Sequence, residues 1–328
     1  LRQRKSARSA DDGPARPVLL GPGMMKRLTL AVATATTLFA SACVQQDDSH
    51  PVAKVLPTAD QVKIKLPDQA GAKLAAVGET ARWYVATRDI TRTLNGGTAF
   101  VLVLVHTIVQ FPPTSTDGAT AVWGPHHDAL DPAEWRLTVT ELADGTYDWK
   151  LDGHSRTEAN APWETLIDGN ANGDRTGSFH LDFDAAERVN PRENDGRGQL
   201  DVTYDIPNRA LDIGADGVED RDGTPTAVHY DYGYDEAADG AGDMVFQIHG
   251  DTEDPGTAAE EVTLRSRWLA TGAGRADLRA RSGDLAAEVT ASECWDGTFG
   301  RVFYADSANW QPTEGTVGAC AFADADLP

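Results

Sequence analysis

Trp135-Arg136-Leu137-Thr138-Val139-Thr140, then Asp144-Gly145, then Tyr147-Asp148-Trp149-Lys150-Leu151-Asp152 is the stretch that decides the fold class. Successive side chains of an extended chain point to opposite faces, so each half sends an apolar row one way and a polar row the other. One apolar face and one wet face is the pattern of an antiparallel sheet that covers a core on one side. Asp144-Gly145 tolerates positive φ and predicts a two-residue hairpin turn between the halves.

The same period of two recurs outward from this hairpin. Phe179/Leu181/Phe183, Leu200/Val202/Tyr204/Ile206, Met244/Phe246/Ile248, Val262/Leu264/Ser266/Trp268 and Phe299/Arg301/Phe303 read as strands. Asp182, Asp184, Asp201, Asp205, Arg265 and Arg267 fall on the opposite faces. The turns are short and no helices intervene, which argues against parallel βαβ units. The Asp-rich stretches 212–222 and 235–243 read as long turns. The pattern predicts a mainly β fold, an antiparallel meander of about ten strands over 120–305, forming a curved sheet or a partly closed barrel.

Ahead of the strands the period becomes helical. Residues 79–94 place Trp83, Ile90 and Leu94 on one face, and Asn95-Gly96-Gly97 then supplies the residues of a helix C-cap. Residues 98–110 are apolar nearly all round and end at Pro112-Pro113. A helical hairpin over 79–111 and the strands behind it are expected to form one domain, 79–328.

The N-terminal part reads as addressing rather than folding. The first residue is Leu1, and 1–24 is basic and without periodicity, so the natural start is expected at Met24 or Met25. Lys26-Arg27, an apolar run over 28–39 and Ala40-Ser41-Ala42 make 25–42 a secretory signal. That run is well short of the roughly 20 residues a spanning helix needs. Residues 43–78 read as a flexible tether, with a short alternating segment at Val62-Lys63-Ile64-Lys65-Leu66. Its first 15 or so residues would reach about 20 Å as coil.

The whole chain carries a formal charge of −22, and removing 1–42 takes away seven Lys/Arg and two Asp/Glu to leave −27. Such a surface argues against nucleic acid and against anionic lipid headgroups as partners. There are three cysteines. With Cys43 at the signal junction, Cys294 and Cys320 remain as a disulfide pair for an oxidising compartment. Closing that loop is worth about 3.5 kcal/mol in the chain-entropy model and would pin the C-terminal segment.

Few residues suggest chemistry. Asp168, Asn170, Asn172 and Asp174, with Gly173 among them, match the opening positions of an oxygen-ligand calcium loop. Phe179 stands where the bidentate Glu belongs, and Asn, Asp and Gly also simply make turns. His126-His127-Asp128 has the residue types of an acid–base or metal site, although adjacent side chains of an extended segment diverge. Arg265, Arg267, Arg275, Arg279 and Arg281 form a basic ribbon that either docks an anion or pairs with cross-strand carboxylates. Nucleophile-elbow, phosphate-loop, zinc-helix and dinucleotide motifs are lacking.

Leu38-Phe39-Ala40-Ser41-Ala42-Cys43 resembles the lipobox of bacterial lipoproteins, with Ala40 where the family usually has Leu. The resemblance implies that Cys43 is lipidated and becomes the mature N-terminus. Two or more acyl chains are what stable anchoring takes. Val44 rather than Asp after the cysteine implies the outer membrane under the sorting rule of enteric bacteria. Segments 121–126 (Ala-Val-Trp-Gly-Pro-His), 134–140, 177–184, 266–277 and 292–296 (Ser-Glu-Cys-Trp-Asp) resemble uncharacterised β-rich lipoproteins of Gram-negative bacteria. The expectation is an envelope lipoprotein anchored to the membrane, working as a non-catalytic binding or structural module. It requires no cofactor, with calcium as an added ligand. Its partner would be an envelope protein or an apolar ligand. A carrier of lipid and a calcium-stabilised hydrolase with dispersed residues are the alternatives.

Overall fold

The computed structural model describes residues 50–58, 61, 80–127, 131–158, 160–221, 224–252 and 257–328. Cys43, the tether and the expected strand at 62–66 lie outside them. Among these residues one antiparallel sheet dominates, with 15 strands paired in strict sequence order. They are β1 (Ser115–Asp117), β2 (Thr120–His126), β3 (Ala133–Glu141), β4 (Tyr147–Ser155), β5 (Trp163–Ala171), β6 (Thr176–Asp182), β7 (Gly198–Asp205) and β8 (Ala210–Arg221). There follow β9 (Thr224–Glu236), β10 (Gly242–Gly250), β11 (Glu260–Trp268), β12 (Gly274–Ser282), β13 (Val289–Trp295), β14 (Arg301–Asp306) and β15 (Glu314–Gly315). The antiparallel meander expected from the alternation is present. It has 15 strands rather than ten, and it stays open, since β1 pairs with β2 and β15 with β14.

The added strands come from segments whose polar residues disguise them. Residues 212–221, expected to be a turn, belong to the twelve-residue strand β8. Leu211 and Ile213 are buried while Asp212 and Asp216 are exposed, so the acidic residues occupy only the wet face. Phe183 does not continue β6, as the alternation suggested. Asp182 accepts the Ala185 N–H at 2.9 Å and caps a short helix, α2 (Phe183–Val189).

A single turn design joins several hairpins. Between β3 and β4, the Leu142 N–H meets the Thr146 carbonyl and the Gly145 N–H meets the Leu142 carbonyl. The turn is therefore longer than the two residues expected. Asn172–Thr176, Ala237–Ala241 and Leu269–Ala273 repeat both bonds. Their fourth residues, Gly145, Arg175, Gly240 and Gly272, all have positive φ, the left-handed position of a three-residue loop. Asp144, Asp174 and Asp239 each accept the N–H two residues ahead and lock the turn.

The predicted helical hairpin is one helix, α1 (Arg82–Ile108). Tyr84, Thr87, Thr91, Asn95, Thr98, Leu102, Val105 and Val109 are buried at steps of three or four, so the buried stripe crosses Gly96 and Gly97 without losing phase. The docked face carries Thr and Asn at its centre, and the apolar row read from the sequence lies along it: Ile90 is buried, and Trp83 and Leu94 pack against the same core. Thr87 Oγ1 lies 2.5 Å from Ser266 Oγ on β11, and the Tyr232 hydroxyl of β9 faces Thr91 and Asn95. Two mid-helix glycines cost about 1 kcal/mol each relative to Ala, and burial of the flanking turns outweighs that. A Cβ on Gly96 would meet no atom within 4 Å. Gly96→Ala is therefore expected to raise stability by about 1 kcal/mol in urea unfolding, whereas a left-handed C-cap there would make it destabilising.

Helix α1 lies on the inner sheet face. Its start touches β13 and the turn that leads to β14, where Tyr84 stacks on Phe299 at 4.2 Å and meets Trp295 at 5.7 Å. Past its end, the Phe111 carbonyl accepts the Trp123 indole N–H of β2 at 2.8 Å. The 3-10 turn Pro51–Lys54 adds buried Val52, with His50 edge-on to Trp123. One apolar cluster joins these elements to almost every strand, so the inner face is filled by side chains. No described helix is long and apolar enough to cross a membrane.

Candidate functional site

With the inner face filled, the polar chemistry collects on the outer face. Register puts Thr203, Asp212, Gly233, Val245, Arg265 and Asp277 in one cross-strand row. The next row holds Asp201, Gly214, Asp231, Gln247, Thr263 and Arg279. Carboxylates thus gather over β7 to β10 and guanidinium groups over β11 and β12.

The acidic half forms a groove of about 820 Å³ around Asp201, Asp212, Asp231, Asp235 and Asp243, bounded by Arg265 and Pro328. Gly214 and Gly233 leave its floor as bare backbone; a Cβ on Gly233 would come 3.4 Å from Asp212 Oδ1. Burial pushes the Asp235 carboxyl up, and Asp212 and Asp243 push it further. Beside the groove, His229 is raised by its 2.8 Å bond to Asp216 and by nearby Asp231. The field here favours cations.

The basic half is the predicted arginine ribbon, and the cross-strand pairing foreseen for it is present. Arg265 pairs with Asp243 across the strands at 2.6 Å, and Arg281 with Glu261 at 2.7 Å. Arg275 donates to both oxygens of buried Asp277 at 2.9 Å, and Ser292 Oγ donates to the same carboxylate at 2.6 Å. The remaining donors hold the chain's own residues 322–328. Arg275 Nη1 reaches the Phe322 and Ala323 carbonyls at 3.2 and 2.7 Å. Arg267 donates to the Asp324 carbonyl at 2.6 Å, Arg265 to that of Asp326 at 3.0 Å, and Arg279 to the Pro328 oxygen. The Asp326 carboxylate lies 2.8 Å from Arg265, and the Arg267 guanidinium sits 4.9 Å over the Phe322 ring. Arg267 and Arg275 are register partners, as are Arg265 and Asp277, so the segment runs along the β11–β12 seam.

The disulfide expected from the sequence delivers this segment. Cys294 and Cys320 are bonded with Cα atoms 5.4 Å apart, closing a separation of 26 residues. Cys294 pairs in register with Arg275, at the point where the segment meets the strip.

Asp168 and Asn170 lie in β5, not in a loop. Asn170 exchanges hydrogen bonds with Ser178, Asn172 donates to Thr176, and Asp174 accepts from Thr176. Asp174 thus has the turn-locking place that Asp144 and Asp239 occupy elsewhere. His126 and His127 are exposed at the end of β2, and Asp128 lies outside the described residues. The sequence reading passed over Asp251, Glu260 and Asp284, whose ligand oxygens lie within 4.8 Å of one another. Hard oxygen donors of this kind suit a calcium-like cation. Glu260 already accepts the N–H groups of Thr252 at 2.6 Å and Asp284 at 2.8 Å, and Asp284 those of Thr257 and Ala258. These residues come from three separate loops and strand ends, so no local motif announces them. Comparison of the chain with protein-family models, with curated proteins and with solved structures finds no match.

Proposed function

We propose that this protein is an exported, lipid-anchored binding module of the Gram-negative envelope, non-catalytic, with the outer sheet face as its working surface. One observation carries the binding half: four arginines on that face hold an extended segment largely through main-chain oxygens. Donors that read carbonyls accept many sequences, which suits a docking surface better than a reaction centre. The filled inner face favours this reading over a lipid carrier. The anchoring half rests on Lys26-Arg27, the apolar run and Ala40-Ser41-Ala42-Cys43. Two acyl chains on Cys43 would hold the chain at a membrane, with the acidic domain kept off anionic headgroups by its own charge.

Metabolic labelling with palmitate in a Gram-negative host tests the anchor. The full chain is expected to take up label and to sediment with the outer membrane. Cys43→Ser should abolish labelling. An unlabelled full chain recovered from the soluble periplasm would remove the lipoprotein reading.

A further inference from the structure

We infer that the arginine strip along β11–β12 is a docking site for an extended acidic segment of another protein, and that residues 322–328 are its built-in occupant. The inference deepens the outer-face reading above and does not depend on the lipid anchor.

The fit of the occupant defines the partner. The carbonyls of Phe322, Ala323, Asp324 and Asp326 and the Pro328 oxygen all reach guanidinium donors of the strip, so main-chain oxygens make most of the contact along the β11–β12 seam. Two side chains add selectivity: the Phe322 ring under Arg267 and the Asp326 carboxylate between Arg265 and Arg267. The chemistry recognised is therefore an aromatic residue followed four positions later by a carboxylate, on a segment whose main-chain carbonyls are open to the guanidinium donors. Asp243 and Asp277 orient the guanidinium groups beforehand, so little side-chain ordering remains for binding.

The occupant is held weakly except by its tether. Residues 323–326 are exposed, and ion pairs in such places contribute on the order of 1 kcal/mol or less each. What keeps the segment seated is Cys320, bonded to Cys294 two residues before Phe322. A tether that short supplies an effective concentration in the millimolar range. An untethered peptide of the same sequence must compete against it.

The test uses a fluorescent, end-blocked peptide of sequence Ala-Phe-Ala-Asp-Ala-Asp-Leu-Pro and fluorescence anisotropy. A chain stopped after Cys320 keeps the disulfide, checked by its mass, and uncovers the strip. It is expected to bind the peptide at least about tenfold more tightly than the full chain does. Arg265→Gln in the shortened chain, and Asp→Asn at both peptide aspartates, should each weaken binding several-fold and flatten its salt dependence. If the shortened chain is folded and disulfide-bonded but does not bind, the proposal is overturned. It is overturned equally if the full chain binds as well as the shortened one, or if the Asn peptide binds as well as the Asp peptide. None of these outcomes alters the palmitate result, so failure here and failure of the anchor are distinguishable.

Discussion

Glu293→Ala is expected to lower the free energy of unfolding by about 3 kcal/mol, read as a fall in the urea midpoint at unchanged slope. Glu293 is fully buried on the inner face of β13. Its Oε2 accepts the Trp83 N–H at 2.5 Å, and the Arg82 N–H bonds to the same carboxylate. These are the first donors of α1, whose N-cap, Ala81, has no side-chain oxygen to offer. The sheet therefore supplies the cap that the local sequence lacks, from a residue 210 positions away. A carboxylate at this end also meets the positive pole of the helix. Alanine would strand both N–H groups and take from Arg301 a partner 3.6 Å away.

The same residue makes stability depend on pH in a defined direction. Burial pushes the Glu293 carboxyl above the usual carboxylate range, and the Trp83 and Arg82 N–H groups and Arg301 offset only part of the shift. In the unfolded chain it would ionise near the ordinary value of about 4.3. Between that value and the folded one, the unfolded chain has released a proton that the folded chain still holds, so stability falls as pH rises. Glu293→Gln keeps an acceptor for Trp83 and removes the titration. The stability of the Gln variant relative to the parent should therefore climb from about pH 4.3 up to the folded value and level off above it. A difference that stays flat from pH 4 to pH 7 would show that Glu293 does not titrate as its burial requires.

How far the sequence discloses this molecule depends on where each signal resides. Alternation in 135–140 and 147–152 is a local property, and the antiparallel meander follows from it. Strand β8 escaped because Asp212, Gly214 and Asp216 carry turn chemistry on the wet face, while Leu211 and Ile213 alone mark the buried one. The break predicted at Asn95-Gly96-Gly97 fails for a related reason: glycine permits a left-handed cap but does not impose one, and the docked Thr and Asn stripe is visible only once Ser266 and Tyr232 are known to face it. Cys294 and Cys320 were legible by counting. The arginine strip was legible as a ribbon, but its occupant was not, because nothing in 322–328 says where the chain folds back. Asp251, Glu260 and Asp284 meet only through the register of β10 to β12.

Trp295→Ala is expected to cost about 4 kcal/mol, the upper part of the range for deleting a buried indole. Trp295 is 1% exposed, and its neighbours cannot close around a gap. Below it lies Gly274, where a Cβ would come 2.5 Å from the indole, so that strand is already as near as backbone can approach. Tyr84 packs against the ring and is itself stacked on Phe299. The indole N–H donates to the Gly272 carbonyl at 2.9 Å and ties β13 to the turn between β11 and β12. Trp268 repeats the arrangement, lying on Gly242 and donating to the Gly240 carbonyl at 3.2 Å, which marks it as a way of closing a Gly-Ala-Gly turn. Trp295→Phe should recover about half of the loss, since it refills much of the volume but leaves the Gly272 carbonyl without its donor. Trp163 provides the contrast: half-buried and stacked on His154 at 5.2 Å under Arg136, it should cost less than about 1.5 kcal/mol on replacement by Ala. Urea unfolding of the three variants decides the matter. Equal losses at Trp295 and Trp163 would mean that the Tyr84–Trp295–Phe299 contact does not anchor α1 to the sheet. A large loss at Trp295 alone, half restored by Phe, would place the anchor on the inner face directly behind Cys294, so that the residue holding the helix and the residue holding the outer segment are neighbours on one strand.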